Sequence, residues 1–132
     1  MKRLILALTA VSIAVPAAAA PIEGLWRNPS GTAIIAVAPC GNALCGTVAW
    51  ASERGQREVA RNAPKVVGNT VLTGLRPRDG GYNGSLYIPD DNIRVSAKLH
   101  LLNHQQLKLT GCAVMGLFCR SQVWTRVQRL PG

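Results

Sequence analysis

Residues 92–101 alternate apolar and polar side chains without a break, and this pattern constrains the fold more than any other feature of the chain. Ile93, Val95, Ala97, Leu99 and Leu101 take one face; Arg94, Ser96, Lys98 and His100 take the other. A period of two belongs to a β-strand with one face buried and one in water. Leu107 and Leu109 alternate with Gln106, Lys108 and Thr110 in the same way, and the same parity predicts Leu44, Val48 and Trp50 on one face of another strand. Turn-forming clusters separate such runs: Asp79-Gly80-Gly81, Pro89-Asp90-Asp91-Asn92 and Asn103-His104. Strands are expected near 24–28, 32–39, 44–51, 69–75, 82–88, 92–101, 105–111 and 118–128. About eight short antiparallel strands joined by hairpins predict an all-β, up-and-down meander, and closing it into a barrel removes its exposed edges. The exception is 52–68, a long polar connection with room for a turn or two of helix.

The first residues read differently. Lys2 and Arg3 precede an apolar run from Leu4 to Val15 that is too short to span a bilayer as a helix. Pro16 ends the run, and Ala17-Ala18-Ala19-Ala20 offers a small-residue cleavage site. Pro21 is a poor residue directly after a cut, which favours cleavage after Ala19. The chain is thus read as a signal peptide, residues 1–19, followed by a single β-barrel domain, residues 20–132. The expected product is secreted, most simply to a periplasm, with no transmembrane segment and no lipid-bearing cysteine, and a monomer.

Four cysteines follow the leader. An exported chain meets an oxidising compartment, so an even count reads as disulfides, and four cysteines allow three pairings. Cys40–Cys45 and Cys112–Cys119 are favoured because each pair brackets a hairpin turn, and cysteines facing each other on antiparallel strands lie within bridging distance. Without Lys2 and Arg3, the fifteen Lys and Arg residues fall to thirteen against six acidic ones, a net of +7. Outside the cytosol such a charge meets lipopolysaccharide, anionic headgroups and acidic proteins, not nucleic acid.

Catalytic chemistry is thin. The two histidines, His100 and His104, lie on the polar face of a strand and in the next turn. Asp79, Asp90 and Asp91 are turn formers, no Ser-His-acid set suggests itself, and disulfides consume the thiols. A metal held by His100, His104 and the cysteines is disfavoured, since His-x3-His spacing aligns ligands on a helix and this segment reads as strand and turn. No catalytic residue, metal or cofactor is therefore expected. The aromatic and arginine residues are more informative. Gly24-Leu25-Trp26 opens the domain and Ser121-Gln122-Val123-Trp124-Thr125-Arg126 nearly closes it. In a closed meander the first and last strands are neighbours, so Arg126 is predicted to cover Trp26 and seal the barrel. Alternate residues of the last strand place Arg120, Gln122, Trp124 and Arg126 on one face. With Trp50 and Tyr82 from other strands, Arg120, Gln122 and Trp124 form a candidate pocket for a small amphipathic or anionic molecule. The opposite parity would leave Arg120 and Gln122 in water and fill a solid core with Val123 and Val127.

The Gly-x-Trp opening with a late Arg resembles the calycins, which comprise lipocalins, fatty-acid-binding proteins and avidins. More of the chain is similar to a family of small secreted bacterial proteins, domain of unknown function 2147. The resemblance is carried by Gly24-Leu25-Trp26, Pro39-Cys40-Gly41-Asn42-Ala43-Leu44-Cys45-Gly46, Leu72-Thr73-Gly74-Leu75, Gly84-Ser85-Leu86-Tyr87-Ile88-Pro89 and Cys119-Arg120-Ser121-Gln122-Val123-Trp124-Thr125-Arg126. Tyr82 and Val123 depart from that family's usual Trp and Thr. The resemblance implies a calycin-like (lipocalin-like) barrel and no established activity. The resulting expectation is a non-enzymatic binding barrel. Its alternatives are a protein-interaction module such as a periplasmic enzyme inhibitor, and an envelope-surface factor that binds lipopolysaccharide. An inhibitor that inserts its tail would need free residues before the first strand, and few precede Trp26.

Overall fold

The computed structural model describes residues 20–59, 65–89 and 91–131, together with Ile5, Ala7, Thr9 and Ala10. Most of the expected leader, the stretch 60–64 and Asp90 lie outside the described residues. The strands are β1 (Gly24–Arg27), β2 (Ala33–Cys40), β3 (Ala43–Ala51), β4 (Thr70–Arg78), β5 (Gly81–Ile88), β6 (Ile93–Asn103), β7 (Gln106–Ala113) and β8 (Phe118–Val127). Each pairs antiparallel with the next, and β8 returns to β1, so the eight strands close into a barrel. Every strand overlaps its sequence expectation.

The alternation of β6 is realised in space. Ala97 and Leu99 are buried in the core, joined from β7 by Leu107 and Leu109 and from β4 by Val71, Leu72 and Leu75. One end of the barrel is plugged by the segment before β1: Ile22 is 1% exposed and Trp26 0%. The Ile22 carbonyl accepts the Trp26 indole N–H at 2.8 Å, satisfying the one polar atom that this buried ring carries. The other end is bounded by the β1–β2, β3–β4, β5–β6 and β7–β8 connections.

Parity fails in β3. Ile35 faces Val48 and Ile34 faces Trp50, so Ala49 is an extra residue in a β-bulge. A bulge shifts the alternation by one. Val48 remains inside, whereas Trp50 turns to the outer face and lies beside Ile34. This corrects the expectation that Leu44, Val48 and Trp50 share a face. The polar connection after β3 carries one short helix, α1 (Glu53–Val59). Ser52 caps it: its hydroxyl accepts the Gly55 N–H at 3.0 Å and its carbonyl accepts the Gln56 N–H at 2.9 Å. Gly55 allows α1 to sit tight on the β1–β2 connection, since a Cβ there would lie 2.5 Å from the Thr32 carbonyl oxygen.

Both disulfides are the local pairs, Cys40–Cys45 and Cys112–Cys119, with sequence separations of 5 and 7. Loops this short constrain the unfolded chain little. Replacing Cys40 and Cys45 together by Ser is expected to lower stability by about 2 kcal/mol in denaturant titrations, leaving the barrel folded.

Candidate functional site

The last strand carries the site. Trp124 is 5% exposed while its neighbour Val123 is 39% exposed, so Trp124 points inward; Gln122 and Arg120, of the same parity, line the cavity but are open to solvent at its mouth. The solid-core alternative placed Val123 inside, where it is not, and Arg120 and Gln122 in water, to which both are exposed. The cavity, of about 850 Å³, lies at the loop end of the barrel. Its walls are Ile35, Val48, Val71, Leu86, Leu109 and Trp124, and Val59 of α1 and Val66, ahead of β4, add to them. This volume falls within the roughly 300–1,000 Å³ of small-molecule pockets.

Polar groups are few and graded in depth. The Trp124 indole N–H donates to Gln122 Oε1 at 3.0 Å, which leaves the Gln122 amide N–H groups available to donate. Arg120 lies one step nearer the rim, and its guanidinium has no protein partner among the described residues. Of the acids at the mouth, Glu58 is engaged by Arg54 at 3.0 Å. Asn28, Ser30 and Thr32 bond one another: Asn28 Nδ2 donates to Thr32 Oγ1 at 2.9 Å and Ser30 Oγ lies 2.8 Å from it. They stiffen the rim and are largely spent on it. The arrangement can hold a molecule with an apolar body against Trp124 and Leu109 and an anionic or polar end at Gln122 and Arg120.

The other predicted pocket residues stand elsewhere. Tyr82 faces inward opposite Leu99, but at the plugged end, packed against the core and away from the cavity lining. Trp50 lies on an outer groove with Arg27, Ile34 and Arg129. Sequence reasoning missed Val59 and Val66, because a polar stretch gives no sign that two of its valines are buried against the cavity. Among the described residues, no group of three or more His, Cys, Asp or Glu side chains is placed to hold a metal ion.

At the plugged end Arg126 covers Trp26. Trp26 and Arg126 are paired across the β1–β8 seam. The guanidinium carbon lies 4.3 Å from the centroid of the indole. Arg126 Nε donates to the His104 carbonyl at 2.8 Å, Nη1 to the Glu23 carbonyl at 2.8 Å and Nη2 to the Pro21 carbonyl at 2.7 Å. One planar fork thus ties the plug, β1 and the β6–β7 turn together. Gly24 makes room for it: at φ 133° it adopts a conformation that side chains disfavour, and a Cβ there would lie 2.7 Å from Arg126 Nη1.

A family model described as an uncharacterized protein conserved in bacteria, DUF2147, matches residues 24–126. The fold is similar to the solved structure of protein HP1028 from the human pathogen Helicobacter pylori, described as belonging to the lipocalin family. The TM-score is 0.62 at 13% identity, over 81% of this chain and 83% of that one. No curated protein sequence matches.

Proposed function

The chain belongs to the bacterial family DUF2147, and we propose that it is a non-enzymatic binding protein that holds one small amphipathic molecule in its barrel. The observation that carries this reading is the 850 Å³ cavity, with apolar depths and Arg120, Gln122 and Trp124 on one strand. The apolar body enters toward Trp124, and the anionic end stays at Arg120. HP1028, described as belonging to the lipocalin family, shares the fold, which supports binding as the use of the interior. The alternative of an inhibitor that inserts its N-terminus is less well supported, because Pro21, Ile22 and Glu23 are bound into the barrel floor.

Fluorescence titration with 1-anilinonaphthalene-8-sulfonate, an apolar ring system bearing one anion, tests the reading. Saturable binding at one site per chain is expected. Arg120→Glu should weaken it about tenfold, through loss of an attractive charge and gain of a repulsive one. Replacing His100 and His104 together should leave it unchanged. Binding that is non-saturable, or indifferent to Arg120, would contradict the proposal.

Export to the periplasm belongs to the same proposal, and the two disulfides are compatible with an extracytoplasmic protein. Cleavage after Ala19 would leave Ala20 as the first residue. The Ala20 N–H already donates to Glu23 Oε1 at 3.2 Å, so an α-ammonium formed there would meet a carboxylate. Intact-mass measurement of the exported protein should give a first residue at Ala20 or one position either side. Retention of residues 1–15 would refute the export argument.

A further inference from the structure

The β7–β8 hairpin tip is apolar where turns are ordinarily polar. From Ala113 to Phe118 the chain reads Ala-Val-Met-Gly-Leu-Phe, with no polar side chain. Val114 is 62% exposed, Met115 101%, Leu117 77% and Phe118 68%, and none belongs to the core. Ile93, at the start of the adjoining strand β6, is 44% exposed. Single exposed hydrophobes are ordinary, but four within five residues on one protrusion are not scattered.

The backbone holds these side chains out at a cost. Leu117 N–H bonds the Val114 carbonyl at 3.1 Å, and the two residues between, Met115 and Gly116, lie at φ 54° and 84°. This is the tight hairpin turn that Asn-Gly or Gly-Gly would make without difficulty. Val114, β-branched, also sits at φ 50°, a region such residues avoid. Residues suited to the turn are thus replaced by residues suited to an apolar surrounding. The Cys112–Cys119 bridge joins facing residues at the base of the tip, fixing its shape before any contact is made.

We propose that this tip docks the open end of the barrel onto a phospholipid bilayer bearing anionic headgroups. The tip is a narrow convex wedge, whereas a stable protein contact needs a broad patch of about 800 Å² on each partner. A bilayer accepts a wedge, with apolar side chains below the headgroups and cations among them. The cations are in place. Arg120 follows the disulfide on β8, and Arg94 follows Ile93 on β6, its guanidinium carbon 5.4 Å from the Tyr87 ring. Among the described residues that line the open end the acids are Asp91 and Glu58, the latter engaged by Arg54, and the chain without Lys2 and Arg3 carries a net +7. Leu117 and Phe118 also line the cavity, so an apolar path runs from the tip to the interior. Docking needs no occupant in the cavity and stands apart from the binding reading.

Co-sedimentation of the purified protein with vesicles tests it. Wild type should pellet with vesicles containing phosphatidylglycerol and much less with phosphatidylcholine alone. Met115→Glu with Leu117→Glu should lower partitioning about tenfold or more. Arg94→Ser should lower it roughly fivefold. Both altered tip residues are solvent-exposed, and Met115→Glu alone, checked by circular dichroism, should give a partial loss in a folded protein. Wild type remaining in the supernatant, or the double variant pelleting as wild type does, would overturn the proposal. So would a lipid-free dimer abolished by the same substitutions, which would assign the tip to a second copy of the chain. Uptake of the fluorescent probe by Met115→Glu alone should persist, since Met115 is fully exposed and does not line the cavity, so a failure of docking and a failure of cavity binding are distinguishable.

Discussion

Trp26→Ala is expected to destabilise the barrel by about 3–5 kcal/mol, since it removes the largest fully buried side chain and leaves a cavity at the plugged end. That is a large share of the roughly 5–15 kcal/mol by which domains of this kind are stable. The loss spreads because Trp26 is where the plug, the β1–β8 seam and the core meet. Arg126→Ala should cost roughly 2–4 kcal/mol: three backbone carbonyls lose a charged donor and the indole loses its cover. Arg126→Lys should recover only part of this. An ammonium has no planar fork with which to meet three carbonyls while lying against a ring. A double-mutant cycle measured by denaturant unfolding should give a non-zero coupling energy, because the two side chains are in contact. Additive losses would show that the seal consists of two independent interactions.

Leu109→Trp is expected to abolish binding while sparing the fold. Leu109 is buried, faces Gln122 across the β7–β8 ladder and forms part of the cavity wall. An indole there would occupy the space beside Trp124. Affinity for the fluorescent probe should fall at least about 100-fold, equivalent to about 3 kcal/mol. Stability should change by no more than about 1–3 kcal/mol, since the added atoms enter empty space before they meet neighbours. In a solidly packed barrel the same substitution would be severely overpacked, so unfolding and binding data together separate a pocket from a core.

Much of the architecture could be read from the sequence because period two, turn residues and cysteine spacing are local signals. The β6 alternation gave the buried face, and the cysteine pairs marked two hairpins. The meeting of Trp26 and Arg126 followed from closure alone: if the first and last strands pair, these two must approach. The pocket was only half legible. Arg120, Gln122 and Trp124 share one strand, so their common face is a matter of parity. Trp50 was misplaced because the bulge at Ala49 depends on how β3 meets β2, and one extra residue reverses every side chain beyond it. Tyr82 has the inward parity, but its height along the barrel is set by the register of β5 against β6, which puts it opposite Leu99 at the plugged end. Whether a barrel interior is filled or hollow depends on summed side-chain volumes after closure, which no local pattern reports.

The central claim is that the interior holds a molecule. Native mass spectrometry of the protein purified from the bacterium that produces it measures this most directly. The expected spectrum contains a fraction of the protein carrying one small molecule, and that satellite is missing from Leu109→Trp. Bare protein throughout, or an adduct that survives in Leu109→Trp, would contradict a ligand site inside the barrel.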